Sequence, residues 1–386
     1  MKKIAVISIV FGWLSFWFVD WSLPWLFKQI MGFVLIIGGF WCLIKTHKFM
    51  LKKTLLVILA IPSLILMVSS INPLPGLDFM KNDSIYKPAQ DNVWHAKQKT
   101  KKTGNLTVTK NVKYGEKYPN SFLDIYSTPK SNPSLGTIVY VHGGGYMWGD
   151  KSAGDPNTGQ DTDPILRKFL ASGYKVVELN YALMPDYVFP SQVIQTNQAV
   201  DYLNKNADKY DLNMNKVIIG GGSAGANIAG GFANIVTNPR YAKLLKQRPA
   251  IGKTQLVAFV SNSGLLDNSR FGHASGSTLI SYLFYQMGRV YTQENNLRGE
   301  STEISHSNVI KWATKDFPKT FVSDGNTGTF TDQAIDLHKK LNKFGVDNKL
   351  SVYPRSEAKL THGFESQSSK QAKKTQQQMV NFLKNY

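Results

Sequence analysis

Residues 216–219 read as a short β-branched strand that runs directly into Gly220-Gly221-Gly222-Ser223-Ala224-Gly225. The stretch that follows, with Ala226, Ala229, Gly230, Gly231 and Ala233, reads as a helix of small side chains. Gly221, Ser223 and Gly225 make the pattern G-x-S-x-G at a strand-to-helix turn. A serine at so tight a turn sits in strained backbone, so the positions two before and two after it must lack bulk, and its hydroxyl is pushed out at the sheet edge. The helix start behind it, at Ala224, offers N–H groups and a partial positive charge to a developing oxyanion. That is the equipment of a nucleophile attacking a carbonyl carbon. A phosphate-binding loop is the other use of such a turn, but no Gly-Lys-Ser/Thr is present and no acidic ribose partner stands at the dinucleotide spacing. A second glycine run, His142-Gly143-Gly144-Gly145-Tyr146, closes the strand expected over 137–141. The N–H groups of Gly144 and Gly145 can approach a reacting carbonyl without side-chain obstruction, and with that of Ala224 they are the candidate oxyanion donors.

These residues need a scaffold that brings strand ends together. Strand-like runs are expected at 137–141, 175–179, 216–219, 255–260, 320–323 and 349–353, and helices at 164–172, 190–210, 226–236, 331–344 and 371–384. Alternating β and α over this length implies an α/β fold with a doubly wound, mostly parallel sheet, in which reactive groups belong at the carboxyl ends of the strands. The apolar stretch at 268–296, with Leu279, Ile280, Tyr282, Leu283, Phe284 and Met287, reads either as part of a cap over an acyl pocket, within an insertion at about 268–316, or as plain core.

The two glycine motifs, in this order, resemble the hormone-sensitive-lipase-like branch of the α/β-hydrolases, which holds bacterial carboxylesterases and acetyl esterases. The similarity covers roughly residues 110–386 and extends to Asn180-Tyr181-Ala182-Leu183-Met184-Pro185 and Phe189-Pro190. Gly222 stands where many members carry Asp before the serine. The resemblance implies the chain order Ser, acid, His. Four histidines follow Ser223: His273, His306, His338 and His362. His362 comes after the last expected strand, in Thr361-His362-Gly363-Phe364, which resembles the family's His-Gly-Phe motif, and is the expected base. The acid is where the resemblance breaks. Laid on residues 321–332, the family pattern puts Gly328 in the acid's place. Asp324 at a strand end and Asp332 at a helix start are the nearest replacements, with Asp267 more distant; Asp324 is preferred because strand ends are better fixed.

Composition limits what else the chain can be. Its 386 residues carry 45 Lys or Arg against 26 Asp or Glu, a net charge of +19, and a single cysteine, Cys42. One cysteine builds neither a disulfide framework nor a multi-cysteine metal site, and no metal or organic cofactor is implied. No basic stripe interleaved with aromatics appears, so nucleic-acid binding is not expected. Residues 1–72 hold one acidic residue, Asp20, and three apolar runs, at 4–21, 30–44 and 54–71, which read as a transmembrane anchor. Lys2, Lys3, Lys45, Lys48, Lys52 and Lys53 lie on one side of these runs, which places the N-terminus inside and everything after about residue 72 outside. Residues 73–107 read as a linker and lead-in, and 108–386 as the hydrolase domain. The expectation is a multi-pass cell-membrane protein with an outward-facing serine hydrolase domain. It would act on small-molecule or envelope-linked carboxylic esters, short acyl or acetyl ones favoured, beside membrane lipid. The alternatives are a catalytically impaired hydrolase fold that binds a ligand or partner, and an acyltransferase.

Overall fold

The computed structural model describes residues 72–74, 77, 92–154, 163–276, 278–294, 297 and 301–384. The chain divides into two compact units, Met1–Ser84 and Ile85–Tyr386. The three apolar runs lie outside the described residues, and among the described residues no helix is long and apolar enough to cross a membrane.

Among the described residues, nine strands form one sheet: β1 Lys99–Thr103, β2 Leu106–Lys113, β3 Phe122–Ser127, β4 Thr137–Val141, β5 Lys175–Leu179, β6 Val217–Gly222, β7 Leu256–Asn262, β8 Lys319–Ser323 and β9 Asn348–Ser351. Their order is β1-β2-β3-β5-β4-β6-β7-β8-β9. The first three strands and β5 pair antiparallel, and from β5 to β9 every pairing is parallel. The chain steps from β4 to β5 on one side and then to β6 on the other. The strand order therefore reverses at β4, and a crevice opens beyond the carboxyl ends of β4 and β6, where ligands bind in such sheets. Both glycine motifs lie at that point.

The main helices are α1 Pro164–Ala171, α2 Ser191–Lys205, α3 Ala224–Thr237, α4 Thr278–Thr292, α5 Thr331–Lys343 and α6 Lys370–Leu383. Strands β4 and β5 are buried at every residue, as expected of parallel strands covered on both faces. On one face Ile138, Tyr140, Ile218, Val260 and Phe321 pack with Phe169 of α1 and Met379 of α6 in a single cluster. Helix α1 starts where Asp163 accepts from the Ile165 N–H ahead of Pro164, and α6 where Ser369 accepts from the Ala372 N–H.

The structure adds β1, β2, β3 and a helix at Pro239–Leu244 to the elements expected from the sequence. β1, which falls in the stretch read as linker and lead-in, is the exposed edge of the sheet. Its lysines Lys99, Lys101 and Lys102 supply the charge that keeps an open edge from pairing with another chain. The helix expected over 190–210 breaks at Asn206, whose backbone leaves the helical region while its side chain donates to the Tyr202 carbonyl 2.8 Å away. Between β7 and β8, in the region read as a cap insertion, lie α4 and the short helices Thr302–His306 and Val309–Trp312.

Helix α3 is buried along its whole length, and that requires small residues at its contacts. A methyl on Gly225 would stand 2.1 Å from the Val141 carbonyl oxygen, and one on Gly221 2.4 Å from the Gly225 carbonyl carbon. At Gly222 the nearest atom would be the Tyr140 hydroxyl, at 3.6 Å, so the absence of a side chain there is not a packing requirement. We expect Gly225→Ala to lower unfolding free energy by about 2 to 4 kcal/mol, since the clash is with backbone and cannot be relieved by a rotamer change. Gly222→Ala should stay within about 0.5 kcal/mol. Urea denaturation of the two variants checks both, and equal stabilities would refute the packing argument.

Candidate functional site

Ser223 bridges β6 and α3 with φ 54° and ψ −121°, a conformation that a residue bearing a side chain adopts only when its surroundings impose it. Here they do. Its N–H donates to the Asn262 carbonyl at 2.9 Å, and its own carbonyl accepts from Ala226 and Leu265 at 3.1 and 3.3 Å. The elbow is thus tied to the end of β7 on one side and to the first turn of α3 on the other. The loop after β9 brings His362 to it, with Nε2 2.8 Å from Ser223 Oγ. Of the other histidines after the serine, His338 has Asn348 and Asn342 as partners, His306 packs against Trp312 and His273 is exposed.

Behind the imidazole stands no carboxylate. Nδ1 of His362 lies 3.0 Å from the hydroxyl of Thr329, and that hydroxyl makes a short hydrogen bond to Oδ1 of Asp324. Asp324 is wholly buried at the end of β8; its Oδ1 also accepts from the Gly325 N–H at 2.7 Å and its Oδ2 from the Phe330 N–H at 3.1 Å. Asp324 therefore reaches the histidine only through Thr329. Gly328, in the place the family resemblance gives to the acid, has φ 63° and donates its N–H to the Ser275 carbonyl. The two other acid candidates point elsewhere. Arg270 holds Asp267 through Nε at 2.9 Å, and through Nη1 it holds Asp332 at 3.0 Å and Asp336 at 2.7 Å. A guanidinium is a better partner for a helix-start carboxylate than a distant imidazole.

Thr329 was not legible as a functional residue. A threonine five residues past a strand-end Asp has no motif of its own, and the only signal was the vacant acid position one residue before it. Glu365 was also missed. Buried under the histidine loop, its Oε1 accepts from the Ser263 N–H at 3.0 Å and the Ser323 hydroxyl at 2.7 Å, and its Oε2 from the Ser263 hydroxyl at 2.7 Å. The Ser263 hydroxyl in turn accepts from the Gly363 N–H at 3.0 Å, so Glu365 fastens the residue after His362 to the ends of β7 and β8. Asn326 adds a second fastening, accepting from Leu360 N–H and donating to the carbonyls of Tyr353 and Ala358.

Burial dominates the electrostatics. It pushes the carboxyl of Asp324 well above the usual range, and the neighbouring Glu365 charge pushes it further. Glu365 is raised by burial too, against the hydrogen bonds from Ser263, Ser323 and its own backbone that favour its charged form. His362 is pushed down to about 4 by burial, which keeps the imidazole neutral and free to accept a proton at ordinary pH.

The glycine loop after β4 is held against the elbow. A methyl on Gly143 would lie 2.9 Å from the Gly222 carbonyl oxygen and 3.3 Å from Ser223 Cβ. Gly144 has φ 103°, and a methyl there would lie 2.2 Å from the Trp148 carbonyl oxygen, so this turn admits only glycine. The Tyr181 hydroxyl donates to the carbonyls of His142 and Gly143, both at 3.2 Å, and its ring stacks on His142 at 4.3 Å between centroids. The Asn-Tyr-x-Leu-x-Pro stretch thus supports the loop that carries Gly144 and Gly145. From the other side α4 closes over the site: Phe284 meets the His362 ring at 5.2 Å and Phe330 at 4.8 Å, while Met287 covers Gly145. Tyr291 stacks on Tyr146 at 3.6 Å and anchors α4 to the glycine loop. Among the described residues no group of three or more His, Cys, Asp or Glu is placed to hold a metal ion.

The likenesses to known proteins agree with this geometry. An alpha/beta hydrolase of Acanthamoeba polyphaga mimivirus is 31% identical over 229 residues, covering 57% of this chain and 60% of its own length. The acetyl esterase of Salmonella dublin is 33% identical over 227 residues, 57% of this chain and 64% of its own. The chain thus spans about three fifths of the length of the curated relatives it matches. Among solved structures, esterase B from Lactobacillus rhamnosis superposes with TM-score 0.62 at 18% identity, over 83% of this chain and 95% of that one. Esterase LipW from Mycobacterium marinum gives 0.56 at 18%, over 72% and 82%. These last two share the fold, that of the α/β-hydrolases. The family model that matches is BD-FAE, over residues 123–341, which runs from β3 to the end of α5 and takes in the glycine loop, the elbow and Asp324. With more than half of its length matched in this way, the chain belongs to the BD-FAE family.

Proposed function

We propose that the chain is a serine hydrolase of carboxylic esters, and the observation that carries this reading is the 2.8 Å contact between His362 Nε2 and Ser223 Oγ on a strained elbow at the sheet's switch point. Ser223 Oγ attacks the ester carbonyl as its proton passes to Nε2. The tetrahedral oxyanion forms beside the N–H groups of Gly144, Gly145 and Ala224, and the alcohol leaves with the proton from His362. Water then repeats the sequence on the acyl-enzyme, and Asp324 is the negative charge behind the base. Phe284, Met287 and Phe330 crowd the serine and histidine with apolar surface. This supports a small acyl group, as do the relatives named acetyl esterases. A second reading, a fold kept for binding with impaired chemistry, draws on the hydroxyl that stands where a carboxylate would meet the imidazole. Acyl transfer to another acceptor would use the same residues. The lysine and apolar pattern of residues 1–72 supports a membrane anchor beside lipid, with the catalytic unit outside the cell.

Labelling with a fluorophosphonate probe, with a chromogenic ester panel beside it, tests the activity. Ser223→Ala should abolish labelling and lower turnover by roughly 10⁴ to 10⁶-fold with the fold intact, and His362→Ala should give a loss of similar order, because nucleophile and base act as one unit. Ester cleavage undiminished in Ser223→Ala would remove the mechanism. Protease added to intact cells should degrade the 73–386 portion; protection until lysis would reverse the orientation.

The pH profile follows from the buried carboxyls. Asp324 must be ionised to act as a charge behind the base; burial and the Glu365 charge raise its pKa, so this form is lost, as pH falls, at higher pH than for an ordinary carboxylate. The groups facing Asp324 are Thr329, Ser263, the N–H groups of Gly325 and Phe330, His362 beyond Thr329, and Glu365. Removing the Glu365 charge makes Asp324 easier to ionise. Glu365→Gln should therefore move the acidic limb of kcat/KM to lower pH, and a limb that stays in place or moves up would show that Asp324 does not set it.

A further inference from the structure

We propose that Thr329 is a positioning residue of this site: its hydroxyl passes the hold of the buried Asp324 on to His362 and so fixes which imidazole nitrogen carries the proton. The proposal rests on the reading of Ser223 and His362 as nucleophile and base. A threonine hydroxyl has one proton to donate and lone pairs with which to accept. Asp324 receives backbone N–H groups from Gly325 and Phe330, so its surroundings are built for an acceptor. With Asp324 ionised, the form these donors favour, the Thr329 proton points to Asp324 Oδ1, and only the lone pairs of Oγ1 remain for His362, 3.0 Å away. The imidazole is thereby required to carry its proton on Nδ1. Nε2 is left bare, 2.8 Å from the Ser223 hydroxyl, as an acceptor of the proton that the nucleophile must lose. When Nε2 takes that proton, Nδ1–H keeps its bond to Thr329 and the threonine keeps its own, so no proton moves beyond the ring. The hydroxyl is held in place for this: Thr329 is fully buried, and the residue before it and the residue after it are each fixed by a backbone N–H, Gly328 on the Ser275 carbonyl and Phe330 on Asp324.

Reversing the threonine reverses the result. With an amide at 324, an N–H can donate to Oγ1, the hydroxyl turns to donate to Nδ1, and Nε2 is left protonated toward the serine, which is the unproductive tautomer. With valine at 329 the Nδ1–H has no partner, and neither nitrogen is favoured.

The test is a double-mutant cycle in the full chain, with burst and steady-state kinetics on p-nitrophenyl acetate. Thr329→Val, which leaves neither tautomer favoured, should lower kcat by about 10² to 10³-fold, with KM changed by less than about threefold, and Asp324→Asn, which enforces the unproductive tautomer, by about 10⁴-fold. The double variant should lose no more than the worse single one, because both break one chain. Thr329→Ser, which keeps the hydroxyl, should stay within about fivefold of the parent, whereas Asp332→Asn should change nothing. Independent losses that multiply in the double variant, or a Thr329→Val enzyme as fast as the parent, would overturn the proposal while fluorophosphonate labelling of Ser223 left the hydrolase reading standing. A parent chain that neither labels nor cleaves esters would defeat that reading and this proposal with it. Should Thr329→Val fail to fold, the ¹⁵N-histidine spectrum of the parent still decides: His362 must show the Nδ1–H tautomer, and the Nε2–H form overturns the assignment.

Discussion

A carboxylate with no solvent exposure at the end of a buried strand constrains everything around it. Taking such a group out of water costs several kcal/mol unless its lone pairs are filled, and Asp324 fills them from its own loop: Gly325 and Phe330 through the backbone, Thr329 through its hydroxyl. To turn three donors from residues 325–330 onto one side chain, the chain after β8 must curl back over it. That curl sets where Thr329 and Phe330 point, and with them the two groups that meet His362. Thr331 closes the loop by donating to the Gly325 carbonyl at 2.6 Å. A second buried carboxyl, Glu365, is satisfied by Ser263 and Ser323, and through Ser263 it ties down the residue after His362. His362 is therefore held through two buried acids, and it touches neither.

Ser223 is held by a different physics, that of contact distance. Gly225 and Gly221 let α3 and β4 approach so closely that any side chain would collide with backbone, and that approach sets the helix start and the glycine loop side by side. Ser223 takes its positive φ because β6, β7 and α3 leave it no other conformation. Steric closeness thus fixes one half of the site and filled hydrogen bonds fix the other, and the two halves meet in the His362–Ser223 contact.

What could be read in the sequence divides along the same line. Strands buried on both faces and helices with small or amphipathic faces announce themselves by composition, so all but one of the strand boundaries in the parallel part of the sheet and all but one of the helix boundaries flanking it lie within two residues of expectation. The break at Asn206 is a side-chain hydrogen bond to the backbone, which periodicity does not register. β1 is hidden because an edge strand carries lysines where a buried one carries valines. In the site, Ser223 and His362 stand in patterns that steric need makes distinctive. The acid does not, because a buried carboxylate can be satisfied from any direction in space. Whether Asp324, Asp332 or Asp267 faces the histidine was decided by Arg270, which takes two of the three and lies in no motif.

A hydroxyl between acid and base separates two services that a directly bound carboxylate performs together. One is stabilisation of the imidazolium. With an effective dielectric of about 20, a unit charge at about 4 Å contributes about 4 kcal/mol and the same charge at about 7 Å roughly 2 kcal/mol, so interposing the threonine forfeits roughly one and a half decades in rate. The other is the choice of tautomer, whose loss costs about 10⁴ in a serine triad when the acid becomes its amide. That service needs an oriented acceptor at Nδ1 and no charge in contact with it, which a threonine pinned to a carboxylate supplies in full. On these magnitudes the site keeps the larger of the two contributions and gives up the smaller, so replacing a contact acid with glycine at 328 does not by itself argue for a fold that has abandoned catalysis.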